Sequence, residues 1–112
     1  MKEDRAYLLH IQDAVQQIID YTHEGRSSFL IDRKTQDAVV RNLEIVGEAV
    51  KNVTPELKML HPELPWRAMA GMRDKLIHEY FGVNLELVWE VVEGQLPSVQ
   101  MALKNIIDRL DG

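Results

Sequence analysis

The chain has no cysteine, which excludes disulfides, thiolate metal sites and a cysteine nucleophile. It also has no long apolar run. Nothing in it approaches the roughly 18 residues of a membrane span. Its start, Met1-Lys2-Glu3-Asp4-Arg5, carries charge of both signs where a secretory leader is apolar. A cytoplasmic protein with no membrane partner is therefore expected. Nor is there an excess of positive charge: 13 Lys and Arg against 18 Asp and Glu leave a net charge of −5. Sequence-independent wrapping of nucleic acid, DNA included, is built from many cations facing phosphates, so this balance argues against it. A small local phosphate site stays open. Low-complexity segments, Gly/Ser linkers and fixed-period repeats are missing as well, so residues 1–112 are expected to form one helical domain. A chain of that length can bury roughly two-thirds of its unfolded surface without metal or disulfide staples.

What is present is helical spacing. Leu8, Ile11, Val15, Ile18 and Thr22 step by three and four behind Asp4, read as an N-cap, and predict a helix over about 4–23. His23 to Ser28 reads as a turn. Asp32 is the next N-cap, before a helix over about 33–53 carried by Val39, Leu43, Val46, Val50 and Val53. Thr54-Pro55 opens a short helix to about Leu60. Pro65 opens another over about 65–81, with Met69, Met72, Leu76 and Tyr80 on one stripe and Gly82 to end it. Asn84 caps the last stripe, from Leu85 to Leu110, in which Pro97 denies the carbonyl of Glu93 its helical partner and predicts a break near Gly94 to Pro97. No window alternates as a strand does. The fold class is therefore all-α: an up-and-down four-helix bundle with an extra short helix. Val40, Ala49, Ile77 and Ile107 lie off the main stripes, which suggests spare apolar surface for a second subunit or a partner. Met59, Met69, Met72 and Met101 are expected as core filler, and Trp66 and Trp89 as packing residues.

The chain contains no Gly-rich phosphate loop, no His-Glu-x-x-His and no acidic calcium loop. His10, His23, His61 and His78 form no pair at ligand spacing, so neither a metal nor another cofactor is expected. The segment Trp66 to Tyr80 is different, gathering Arg67, Arg73, Lys75 and His78 on one helix of an acidic chain. Guanidinium and ammonium groups hold a phosphodiester, and an imidazole moves its protons. An Arg-x4-His match alone is weak, since chance gives about 0.25 in such a chain, and Arg5 with His10 is a second match, read as a solvated first turn. Five residues also turn an α-helix by about 500°, which leaves Arg73 and His78 roughly 140° apart. Asp74 and His78, at i and i+4, do share a face, so Asp74 could orient the imidazole.

The run Arg73-Asp74-Lys75-Leu76-Ile77-His78-Glu79-Tyr80 resembles the Arg-x4-His-x-Tyr signature of the HEPN-domain toxins encoded beside minimal nucleotidyltransferase antitoxins. The likeness extends to Tyr7-Leu8-Leu9-His10-Ile11, Arg41 to Ala49, Pro62 to Trp66, Phe81-Gly82-Val83, Val88-Trp89-Glu90 and Leu96-Pro97. The resemblance implies a HEPN-like bundle that dimerises with two signature helices facing each other. It implies a metal-independent endoribonuclease, the toxin of a type VII-like toxin–antitoxin pair, with Arg73 and His78 catalytic and RNA as substrate. It further implies that a cognate nucleotidyltransferase silences the toxin by transferring AMP to Tyr80. One departure is Asp74, where many relatives carry Asn; the extra anion beside an RNA phosphate would slow cleavage or favour a protonated His78. Glu48, in the resemblance block, could add a polar contact near the signature, and Arg67 and Lys75 could contact RNA phosphates. The plain reading of Tyr80 is a core or interface residue. Two other functions stay open: a regulatory module that partners a nucleotidyltransferase without turnover, and a structural dimerisation domain.

Overall fold

The computed structural model describes the backbone of residues 2–78 and 84–112, and the side chains of these residues except Lys2, Arg73, Leu76, Ile77 and His78. Among the described residues there are seven helices and no strand. The first, α1 (Lys2–Tyr21), places Leu8, Ile11, Val15 and Ile18 at zero exposure, as their spacing predicts. Its last turn is closed by Thr22, whose hydroxyl donates to the carbonyl of Ile18 at 2.7 Å. Asp4 is not the N-cap expected of it, because the helix is already formed at Lys2. Its carboxylate is instead buried and accepts from the Thr54 backbone N–H at 2.9 Å and the Thr54 hydroxyl at 2.6 Å.

A further correction concerns residues 23–28. Only the stretch through Gly25 is a turn, and α2 (Arg26–Ile31) follows it. Gly25 adopts φ 96°, a left-handed backbone that glycine tolerates without steric cost. Six residues are too few to be helical alone. What holds α2 is Phe29, buried with its ring 5.5 Å from that of Trp89. The next helix, α3 (Arg33–Asn52), starts at Asp32, whose carboxylate accepts from the Thr35 N–H at 3.3 Å and hydroxyl at 2.8 Å. These two hydrogen bonds, the hydroxyl's first, hold the Asp32 carboxyl below its ordinary range.

Thr54 caps α4 (Pro55–Leu60), accepting from the Leu57 N–H at 3.4 Å while it donates to Asp4. The carbonyl of Pro65 takes the first bond of α5 (Trp66–His78), from the N–H of Met69 at 2.9 Å. The Trp66 indole N–H donates to the His61 carbonyl, also at 2.9 Å. Glu79 to Val83, and with them the expected helix end at Gly82, lie outside the described residues. Asn84 caps α6 (Leu85–Gly94) through the Leu87 N–H at 3.1 Å. The break predicted from Pro97 separates α6 from α7 (Leu96–Asp111), with Gln95 ending one helix and opening the other.

The bundle places α3 between α1 and α5, with α7 on the other side of α1 and α6 against α7 and α2. Contacts at the ends fix the directions: Asp4 meets Thr54, Arg5 meets Asp111, and Gln16 meets Gln100, so α1 runs antiparallel to both α3 and α7. One core joins all seven helices, from Leu8 and Val39 to Leu103 and Ile106. Ala49 and Ile107 are buried in it and Val40 packs partly against it, which corrects the expectation that they offer spare surface; the Ile77 side chain lies outside the described residues. Large apolar side chains are exposed elsewhere, at Ile31, Met59, Leu60 and Met101, so Met59 and Met101 are not core filler. Among the described residues no helix is long and apolar enough to cross a membrane.

Candidate functional site

The sequence forces α5 to have two unlike faces. Trp66 and Met69 are buried, and Ala70 and Met72 pack partly against the core, which fixes the rotation of the helix. At about 100° per residue, positions 67, 71, 74 and 78 then fall within roughly 60° of one another on a second stripe. Arg67 and Gly71 on that stripe are exposed and Asp74 is half-buried; a side chain at Gly71 would meet nothing within 4 Å. Lys75 flanks the stripe and is exposed. His78 is the last described helical position on it, whereas position 73 falls about 130° from the middle of the stripe, between positions 66 and 69; the side chains of Arg73 and His78 lie outside the described ones, and so does Tyr80 altogether.

The structure ties this stripe to α3. The Lys51 ammonium donates to the Asp74 carboxylate at 2.7 Å, across two helices that pack along their length. Sequence reasoning missed Lys51. It lies 23 residues from Asp74, and no local spacing signals a pairing across two helices. The one available hint was its place in the last turn of α3, where a cation is favoured by the helix dipole.

Glu48 sits one turn before Lys51 and is exposed. With Tyr7, His10, Arg41, Glu44 and Asn52 it lines an open groove between α1 and α3. The Tyr7 and His10 rings meet edge to face at 6.3 Å, and Arg41 pairs with Glu44 at 3.7 Å. Much of the early resemblance block therefore faces one surface, on the helix that also carries Lys51. Arg5, read as part of a solvated first turn, is exposed but committed: its guanidinium grips Asp111 at 2.6 and 3.1 Å. That grip raises the guanidinium above its ordinary value and holds the Asp111 carboxyl below its own. His23 and His61 serve local structure, His23 against the carbonyl of Asp20 at 2.9 Å and His61 against Glu63 at 3.3 Å.

In chemical terms the α5 stripe offers exposed cations, a paired carboxylate and a glycine gap through which a polymer backbone or a second helix can approach. Comparison with known proteins adds to this. The family model described as Ribonuclease HepT-like matches residues 11–106. The chain is 49% identical over 100 residues to the "Probable ribonuclease HepT" of Thermococcus cleftensis, covering 88% of this chain and 91% of that one. It is 43% identical over 112 residues to a "Putative RNase" of Methanocaldococcus jannaschii, covering 99% of this chain and 93% of the relative. A "Putative RNase" of Caldanaerobacter subterraneus subsp. tengcongensis is 43% identical over 111 residues, with 97% and 98% covered. No solved structure matches the chain.

Proposed function

Since this chain belongs to the HepT-like ribonuclease family, we propose that it is an endoribonuclease that cleaves RNA at α5, with Arg73 and His78 as its catalytic pair. The observation that carries this reading is that a chain of a ribonuclease family has its Arg73 and His78 on a helix whose solvent side gathers Arg67, Lys75 and the paired Asp74.

His78 takes the proton of a ribose 2′-hydroxyl, and the oxygen attacks the adjacent phosphorus. Arg73 holds the phosphate and stabilises the charge that grows in the transition state. The bond to the 5′-oxygen breaks, and that oxygen receives a proton from an imidazolium, supplied by the His78 of a second copy in a dimer built on facing α5 helices. The products are a cyclic 2′,3′-phosphate and a free 5′-hydroxyl. Arg67 and Lys75 contact neighbouring phosphates, and Glu48 lies at the border of the site. In the cell the chain acts as the toxin of a toxin–antitoxin pair. Its cognate minimal nucleotidyltransferase silences it by moving AMP onto Tyr80, where a bulky anion blocks the site and repels RNA.

The test is cleavage of RNA in EDTA by the unmodified chain, wild type beside His78→Ala, with intact mass measured before and after incubation with the cognate nucleotidyltransferase. The expected result is cleavage by the wild type, a loss of at least about 10²-fold in the variant, and a single AMP added at Tyr80. Equal cleavage by both chains would remove His78 from the mechanism.

A further inference from the structure

A phosphodiester approaching α5 meets a difficulty that the sequence itself creates. Asp74 stands between Arg73 and Lys75 in sequence and one helical turn from His78 on the same stripe, about 6 Å along the axis. A bare carboxylate there opposes a second anion. At separations of 6 to 8 Å and effective dielectric constants of about 40 to 60, between those of a protein surface and of water, the repulsion weakens binding by roughly three- to tenfold.

The structure answers this with a cation from a different helix. The Lys51 ammonium lies 2.7 Å from Asp74 Oδ1, with neither side chain buried. A charge so paired acts on its surroundings as a dipole, whose field fades faster with distance than that of the bare anion. Lys51 stands in the last turn of α3, where the helix dipole favours a cation. The packing of α3 on α5 sets the reach between them. An exposed ion pair contributes little to stability, so the fold does not require this one.

We propose that Lys51 belongs to the RNA site as a positioning residue: it holds and neutralises the Asp74 carboxylate beside His78, so that α5 presents net positive charge to a phosphodiester. The inference rests on the ribonuclease reading above and extends that site from one helix to two. Lys51 acts through Asp74 and does not touch the reacting atoms.

The pair is tested in the full chain as a charge cycle of Lys51→Met, Asp74→Asn and the double variant. Two readouts are taken: steady-state cleavage of an RNA oligonucleotide, and binding of its 2′-O-methyl analogue, which lacks the attacking hydroxyl. Lys51→Met is expected to weaken binding and raise KM three- to tenfold, with kcat little changed and the thermal midpoint kept. The defect should shrink as salt rises, since screening acts on exposed charges. Asp74→Asn tightens binding, and adding it to Lys51→Met restores affinity to at least the wild-type level. That rescue is the result a purely structural lysine cannot give. Equal losses in Lys51→Met and the double variant would overturn the proposal and make Lys51 a direct phosphate contact. A Lys51→Met chain that matches a wild type active on RNA would overturn the proposal alone. A wild type that neither binds nor cleaves RNA would remove the ribonuclease reading, and this inference with it.

Discussion

The corner where α1, α3 and α4 meet and the outer stripe of α5 are built on opposite rules. At the corner a charged group is buried and fully matched: Asp4 accepts twice from Thr54, which in turn caps α4. On α5 the charged groups stay in water, and the one carboxylate on the stripe is matched by a lysine that is itself exposed. A buried carboxylate with two short hydrogen bonds locks one geometry, because leaving it unmatched costs several kcal/mol. Exposed cations lock nothing, and so they remain available to a ligand. The corner is therefore built for stability and the stripe, in the function proposed above, for chemistry, and substitutions should separate the two.

The largest separation is expected at His78. His78→Ala should lower cleavage by about 10²- to 10⁴-fold while its thermal midpoint stays at the wild-type value, measured on the same preparation. A large fall in the midpoint would mean that the end of α5 serves the fold as well. The converse belongs to the corner. Asp4→Ala removes a buried acceptor and strands two donors of Thr54, and should cost about 2–4 kcal/mol in denaturant unfolding. Cleavage per folded molecule should be preserved.

Smaller effects sharpen the contrast. Arg67→Ala and Lys75→Ala are each expected to weaken RNA binding a few-fold and to flatten its salt dependence by a fraction of a charge, leaving stability unchanged. Titration of binding against salt checks this, and an unchanged slope would remove that residue from the interface. Smallest is the exposed clip between Arg5 and Asp111. Its carboxylate lies below the ordinary range in the folded chain, so the stabilisation it gives is complete above the unfolded carboxylate pKa and is lost as pH falls through the lower folded value. The difference in thermal midpoint between wild type and Asp111→Asn, followed at low salt, should be constant well above about pH 4 and close below it.

Much of this architecture was legible as periodicity. The stripes of α1, α3 and α7 face the core because their steps of three and four match the helical turn. Pro97 announced the division of α6 from α7 because a residue without an N–H cannot continue the ladder. The turn expected over residues 23–28 failed for the complementary reason. A six-residue helix has no periodic signal to read, and α2 exists because Phe29 finds Trp89 from a distant part of the chain. The spare apolar surface expected at Ala49 and Ile107 likewise vanished into contacts between helices.

The candidate site divides in the same way. Sequence alone placed Arg67, Asp74, Lys75 and the positions of Arg73 and His78 on one helix, because spacing along a helix fixes which positions share a face. It also determined the helical class and the family pattern that runs through the chain. Only the tertiary structure decided what each polar group meets. Asp4, readable as a cap for its own helix, went to Thr54 in another part of the chain, and Asp74 also meets Lys51 from another helix. Periodicity reports which side of a helix faces inward, but partners separated by 23 or 50 residues are chosen by how the helices cross and end against one another. That geometry is a property of the packed bundle, carried by no single stretch of sequence.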